Sequence, residues 1–194
     1  MHDDGLIPLA QLTYMVAPAR GVSKTRAGPV DGDAALPHDR PVARQSAGLL
    51  LYRRRGDRIE VFLVHPGGPF WARKDEGAWT IPKGEPSPSE SLLETAFREL
   101  TEETGIRLDA VTAVPLRPVV QAGGKTVHAW AVEADVDADA IVSNTFTMEW
   151  PRGSGRMREF PEVDRAAWFD LDEARRRINP AQVALLKELE GMVG

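Results

Sequence analysis

Three carboxylates are the residues most able to do chemistry. Glu99, Glu102 and Glu103 fall within a five-residue stretch. On a helix, at ~100° per residue, they share an arc of ~100°, so three negative charges project from one face within about one turn. Like charges four residues apart cost a helix roughly 0.2–0.5 kcal/mol per pair. The helix predicted here ends at Thr104. The three charges therefore also sit near the negative end of its dipole, at roughly 0.3–1 kcal/mol each before screening. Local rules broken in this way mark functional sites. A divalent cation would reverse the sign of every one of these penalties, and hard oxygen donors suit Mg²⁺ or Mn²⁺ better than zinc. The competing interpretation is a solvated acidic face relieved by Arg98, which stands four residues from both Glu94 and Glu102.

The elements that must position these side chains are legible around them. Ser87-Pro88-Ser89-Glu90 has the form of a capping box with proline at the first helical position, which predicts a helix over residues 87–104. Gly105 is its natural terminator. Leu93, Ala96, Phe97 and Leu100 form its buried stripe. Upstream, residues 48–52 and 59–64 predict a hairpin turning at Arg55-Gly56-Asp57, followed by a glycine- and proline-rich loop over residues 65–78. Downstream, residues 111–120 are interrupted by Pro115 and Pro118 and suit a sheet edge. Residues 126–134 alternate, and residues 141–148 and 166–169 are further strand candidates. Asp170 and Asn179 open two last helices. Strands, a helix, more strands and then helices describe an α/β chain with a mixed β-sheet covered by helices. Residues 6–16 could supply one more strand. Residues 17–46 lack apolar periodicity and are rich in Pro, Gly, Ala, Asp and Arg, so residues 1–46 are expected to be an irregular, flexible N-terminal extension and residues 47–194 the domain.

Composition narrows the function. A net charge of -5 over 194 residues offers no basic field for duplex nucleic acid, which argues against a nucleic-acid partner. The absence of cysteine excludes disulfides, thiolate metal sites and a cysteine nucleophile. The apolar runs are far short of the ~20 residues of a membrane helix. The acidic start, Met1-His2-Asp3-Asp4, lacks the layout of a signal peptide, so a soluble cytoplasmic protein is expected. A second acidic run is a decoy. Asp135, Asp137 and Asp139 alternate like the start of a calcium loop, but Ala140 stands where glycine is needed and Phe146 where the closing glutamate should be. A solvated turn is expected there.

Gly84, five residues, Glu90, seven residues, then Arg98-Glu99-Leu100-Thr101-Glu102-Glu103-Thr104-Gly105-Ile106 meets all nine specified positions of a 23-residue signature. The segment resembles the signature of the Nudix hydrolases. The resemblance implies an α/β/α sandwich around the box, from about residue 47 to residue 189. It also implies a Mg²⁺-dependent pyrophosphohydrolase, with Mn²⁺ as a substitute, acting on a nucleoside diphosphate linked to another group. By motif position, Glu99, Glu102 and Glu103 would hold the metal, with the Gly84 carbonyl as a further ligand. Glu90 would support the site, and Arg98 would orient the carboxylates. In several branches a glutamate outside the box serves as base. Here Glu162, six residues before Trp168, is the choice, with Glu159 and Glu149 as rivals.

Substrate clues lie beside the box. Trp79-Thr80-Ile81-Pro82-Lys83-Gly84 resembles the branches that cleave dinucleoside polyphosphates or diphosphoinositol polyphosphates. Lys83 could follow successive phosphates as a point charge. Phe70, Trp71, Arg73 and Lys74 could clamp a base and its phosphates, and Trp150, in a loop with Arg152 and Arg156, could stack a base. Trp79, Trp130 and Trp168 are expected in the core. His65 and His128 are expected to be turn or strand residues rather than catalysts. The expected reaction is cleavage of diadenosine tetraphosphate to ATP and AMP. The alternatives are nucleoside triphosphate house-cleaning, ADP-ribose hydrolysis, removal of a 5′ pyrophosphate from RNA, or a module that senses a nucleotide without cleaving it. Many relatives dimerise, which leaves a homodimer open.

Overall fold

The computed structural model describes residues 15–16 and 44–194. Its strands are β1 (Met15–Val16), β2 (Gln45–Arg55), β3 (Arg58–Pro66) and β4 (Lys83–Gly84), then helix α1 (Leu92–Thr104). β5 (Thr112–Pro115), β6 (Val119–Val120), β7 (Thr126–Glu133), β8 (Thr145–Glu149), β9 (Met157–Pro161) and β10 (Val163–Asp170) follow. Helices α2 (Leu171–Arg177) and α3 (Val183–Val193) close the chain.

One sheet runs β1-β5-β7-β2-β3-β10, with the short strands β4 and β6 on β2 and β7. It is mixed, because β2 pairs parallel with β7 and antiparallel with β3. Successive side chains of a strand point to opposite faces, and here both faces are apolar. Leu49, Leu51, Phe62 and Val64 pack with Ala96, Phe97 and Leu100 of α1. Leu50, Val61 and Leu63 pack with Leu185, Leu186 and Leu189 of α3 on the other side. The result is an α/β/α sandwich, as the resemblance implies. Among the described residues no helix is long and apolar enough to cross a membrane.

Several boundaries differ from the sequence expectation. The helix starts at Leu92, not Ser87. Ser91 caps it, with Glu94 completing the box. Ser87–Glu90 forms a separate turn, because Glu90 is drawn away from the helix start by Arg98 and Thr95. The strand expected over 141–148 begins only at Thr145. Val142 and Asn144 instead donate their backbone N–H groups to the carbonyls of Thr104 and Glu102. Helix ends leave such carbonyls without helical partners, and residues 141–144 supply them. The run 111–120 splits into β5 and β6 around its prolines. β8 and β9 form their own two-stranded hairpin. Trp79 is buried, whereas Trp130 and Trp168 are half-buried at the core's margin. Of the N-terminal strand expected over 6–16, only Met15–Val16 lies within the described residues, parallel to β5.

Candidate active site

Arg98 is the hub around which the carboxylates of α1 are arranged. Its Nε donates to Glu90 Oε1 at 2.9 Å, and one terminal nitrogen reaches Glu99 Oε1 at 2.8 Å and Glu102 Oε2 at 2.6 Å. The other terminal nitrogen donates to the Glu85 carbonyl at 3.0 Å. Arg98 is thus the charge that orients the carboxylates, and these partners raise its pKa further. Burial favours the neutral form of Glu90, but the bonds from Arg98 and Thr95 outweigh it and hold the carboxyl below its ordinary value.

Glu103 and Glu99 have the opposite character. Burial pushes the Glu103 carboxyl up to about 7, against the pull of Lys83 and with the help of Glu99 and Glu162. Burial also raises Glu99, against Arg98 and with Glu102 and Glu162 adding repulsion. The Lys83 backbone N–H donates to Glu103 Oε2 at 3.0 Å, which ties β4 to α1. The Lys83 ammonium faces Glu103, Lys125 and Glu99, and its burial lowers its pKa. A carboxylate side chain is 13% exposed at Glu99 and 42% at Glu102, so the three acids of one helix face sit in different surroundings.

Glycines make the approach of these elements geometrically feasible. A Cβ on Gly84 would lie 2.0 Å from the Glu99 carboxylate. A Cβ on Gly48 would lie 2.3 Å from the Pro82 carbonyl, so β2 admits the strap that carries Lys83 and Gly84. The strap is fixed from the far side by the buried Gln182, which accepts from the Ile81 N–H at 3.1 Å and bonds Thr80.

Glu162 is brought to the same place by tertiary structure. Its N–H donates to the Asn144 carbonyl, whose own N–H reaches the Glu102 carbonyl, and its carbonyl accepts from Gly67 at 2.8 Å. Its charge acts on both Glu99 and Glu103. The rivals lie elsewhere. Glu159 bonds Thr145 across the β8–β9 hairpin, and Glu149 accepts from the Gly155 N–H at the hairpin's turn. Trp150 stands at that turn, edge-on to Phe70 at 5.4 Å, with Arg152 5.1 Å from the Phe70 ring. Arg73 is exposed on the loop that carries Phe70. Among the described residues no group of three Asp, Glu or His side chains stands converged as a ready metal cage, because Arg98 holds Glu99 and Glu102 on its own guanidinium. Sequence reasoning missed Glu85, whose carboxylate gathers Arg44 and Lys125 beside Lys83. These residues are separated by 40 positions or more, and no local pattern links them.

The NUDIX domain model matches residues 42–189. The chain belongs to the NUDIX family. Its curated relatives include the asymmetrical bis(5′-nucleosyl)-tetraphosphatase of Sus scrofa, 29% identical over 164 residues that cover 78% of this chain and 92% of the relative. The Rattus norvegicus enzyme of the same name is 32% identical over 145 residues, covering 69% of this chain and 83% of the relative. The crystal structure of a Caenorhabditis elegans Ap4A hydrolase binary complex superposes with a TM-score of 0.58 at 22% identity, covering 76% of this chain and 97% of that one. That likeness establishes the shared fold. The chain is therefore a hydrolase of the NUDIX family, a class that acts on phosphoanhydride bonds and generally needs a divalent metal.

Proposed function

We propose that this chain cleaves a phosphoanhydride bond of a dinucleoside polyphosphate, converting diadenosine tetraphosphate to ATP and AMP. The observation that carries the reading is the set of bonds by which Arg98 holds Glu90, Glu99 and Glu102, beside Glu103 on the Lys83 N–H, in the fold of a family whose relatives include tetraphosphatases.

The residues fit a hard cation. Glu99 and Glu103 are carboxylates whose charged forms are disfavoured by burial and by each other, and the bare Gly84 leaves room for the Glu99 carboxylate against the strap. Glu99, Glu102, Glu103 and the Gly84 carbonyl would hold Mg²⁺, with Mn²⁺ as a substitute. When bound, the ion offsets phosphate charge and acidifies a water. The chain's own groups do the rest. Arg98 sets the carboxylate orientation through its bonds to Glu90, Glu99 and Glu102. Glu162, on a separate segment, is the proton acceptor for the attacking water. Glu103, held by the Lys83 N–H, is kept in place beside Glu99. Lys83 and Arg73 bind phosphates, and Trp150 stacks a base. The unit that does this spans residues 47–194.

A substrate panel with Mg²⁺ or Mn²⁺, its products resolved by chromatography, tests the reading. ATP plus AMP from diadenosine tetraphosphate is expected. Turnover only of nucleoside triphosphates to monophosphates would overturn the substrate. Nucleotide binding with no turnover of any compound would replace the enzyme with a sensor.

A further inference from the structure

His65 is the one fully buried histidine among the described residues, with 0% exposure, and it has no place in the chemistry above. It ends the β3 core run at the entrance to the loop over residues 67–77. Its Nε2 lies 2.8 Å from the Lys74 carbonyl, which can only accept, so Nε2 carries a proton. Its Nδ1 lies 2.7 Å from Asp164 Oδ1. Asp164 occupies an irregularity of β10, where the register against β3 shifts between Val163 and Arg165, and this turns the carboxylate toward the ring. Asp164 is partly solvated and is also approached by Arg165 at 3.4 Å. Both ring nitrogens of His65 are thus occupied, one by the loop and one by β10. The other groups around the ring are the Trp79 indole, edge-on at 5.3 Å, with Arg165 stacked over it and Asp75 accepting from its Nε1.

We infer that His65 is a positioning residue, a buried imidazole hydrogen-bonded through both nitrogens that clamps the loop over residues 67–77 to β10 and so keeps it in register with Glu162. The register is tight. The Gly67 N–H donates to the Glu162 carbonyl at 2.8 Å, and a Cβ on Gly67 would lie 2.0 Å from the Pro161 carbonyl. Any slip of the loop therefore reaches Glu162 directly. At its far end the loop is held by Asp75 on Arg177 and by the Gly77 N–H on the Arg176 carbonyl. Between these anchors it presents Phe70 to Trp150. The consequence for catalysis rests on the proposed roles of Glu162, Arg73 and Trp150; the clamp itself does not.

The experiment is ¹⁵N-edited NMR of the imidazoles in the full chain at pH 7.5, with amide hydrogen exchange and kinetics on His65→Gln and Asp164→Asn. Both ring nitrogens of His65 should show the ¹⁵N shifts of hydrogen-bonded positions, and either nitrogen found unbonded overturns the clamp. In the variants the Gly67 amide should exchange at least ~10-fold faster while core amides of β2 keep their protection. Unchanged exchange at Gly67 also overturns it. The KM for diadenosine tetraphosphate should rise at least ~10-fold. Hydrogen bonds at both ring nitrogens and faster Gly67 exchange with an unmoved KM would keep the clamp and remove the loop from the substrate site. If His65→Gln does not fold, the wild-type spectrum and Asp164→Asn still decide the matter.

Discussion

Two acidic clusters of similar composition meet opposite fates in this protein. Asp135 is exposed, beside a short 3₁₀ turn, and its carboxylate accepts from Arg53 and Arg55. Those arginines hold its pKa below the ordinary value, the Arg53 bond first among them. Glu103 sits under the Lys83 strap, near Glu99 and Glu162, and its pKa is driven up to about 7 by burial. Asp135 is a solvated charge with dedicated partners, worth little either way. Glu103 is a charge that the fold keeps from water and surrounds with its like. The contrast separates an acidic cluster whose charge is paired at the surface from one whose charged form is disfavoured by its surroundings.

The largest expected effect comes from neutralising one acid in each cluster. Glu103→Gln should cut turnover at least ~100-fold with the fold retained, because it removes a proposed donor to the metal. Asp135→Asn should leave turnover within ~2-fold and the denaturant midpoint nearly unchanged. Equal effects on turnover would erase the distinction. Next, Glu162→Gln should lower kcat by ~100-fold, as expected for loss of a general base, while Glu149→Gln and Glu159→Gln stay near wild type. A full loss at Glu159 instead would move the base to the hairpin. Gly84→Ala should follow at ~10–100-fold, since its Cβ would displace the Glu99 carboxylate rather than remove it.

A smaller effect is a pH dependence of stability in the metal-free protein. Glu103 titrates near 4.5 in the unfolded chain and near 7 in the folded one. The folded state thus binds this proton more tightly. Its stabilising contribution is complete below about pH 4.5 and is lost as pH rises through about 7, by on the order of 3 kcal/mol at most. Glu99 acts in the same direction. In EDTA, the melting temperature should fall from pH 5 to pH 7.5 more steeply in wild type than in Glu103→Gln. Parallel curves would show that Glu103 is not buried as a charge. Smallest of all, removing residues 1–40 should leave kcat and KM nearly unchanged, since Arg44, the partner of Glu85, is retained. Loss of folding would place the extension in the core.

Much of the site was legible before any coordinates. The spacing of Glu99, Glu102 and Glu103 places them on one side of a helix, and Arg98 was identifiable as their counter-ion. The choice of Glu162 over Glu149 and Glu159 rested on a resemblance, and only the geometry shows Glu162 beside Asn144, Gly67 and the helix carboxylates. Errors were concentrated where a second partner competed for the same group. Ser87 looked like the helix cap because Glu90 sat three residues on, yet Glu90 is claimed by Arg98 eight residues further along. Residues 141–144 looked like a strand because they are apolar enough, yet their N–H groups complete the end of α1.

What the sequence alone determined was periodic: one helix face, two apolar faces for each central strand, and the turn residues between them. Those properties repeat every few residues and need no distant partner. What only the tertiary structure decided was environment. That Glu103 is half-buried while Asp135 is solvated, that Lys83 faces carboxylates, and that His65 meets Asp164 across 99 positions all depend on which surfaces the folded sheet and its helices cover. Solvent access and charge pairing are set by groups far apart in the chain, and they, more than residue type, decide whether a carboxylate is surface charge or chemistry.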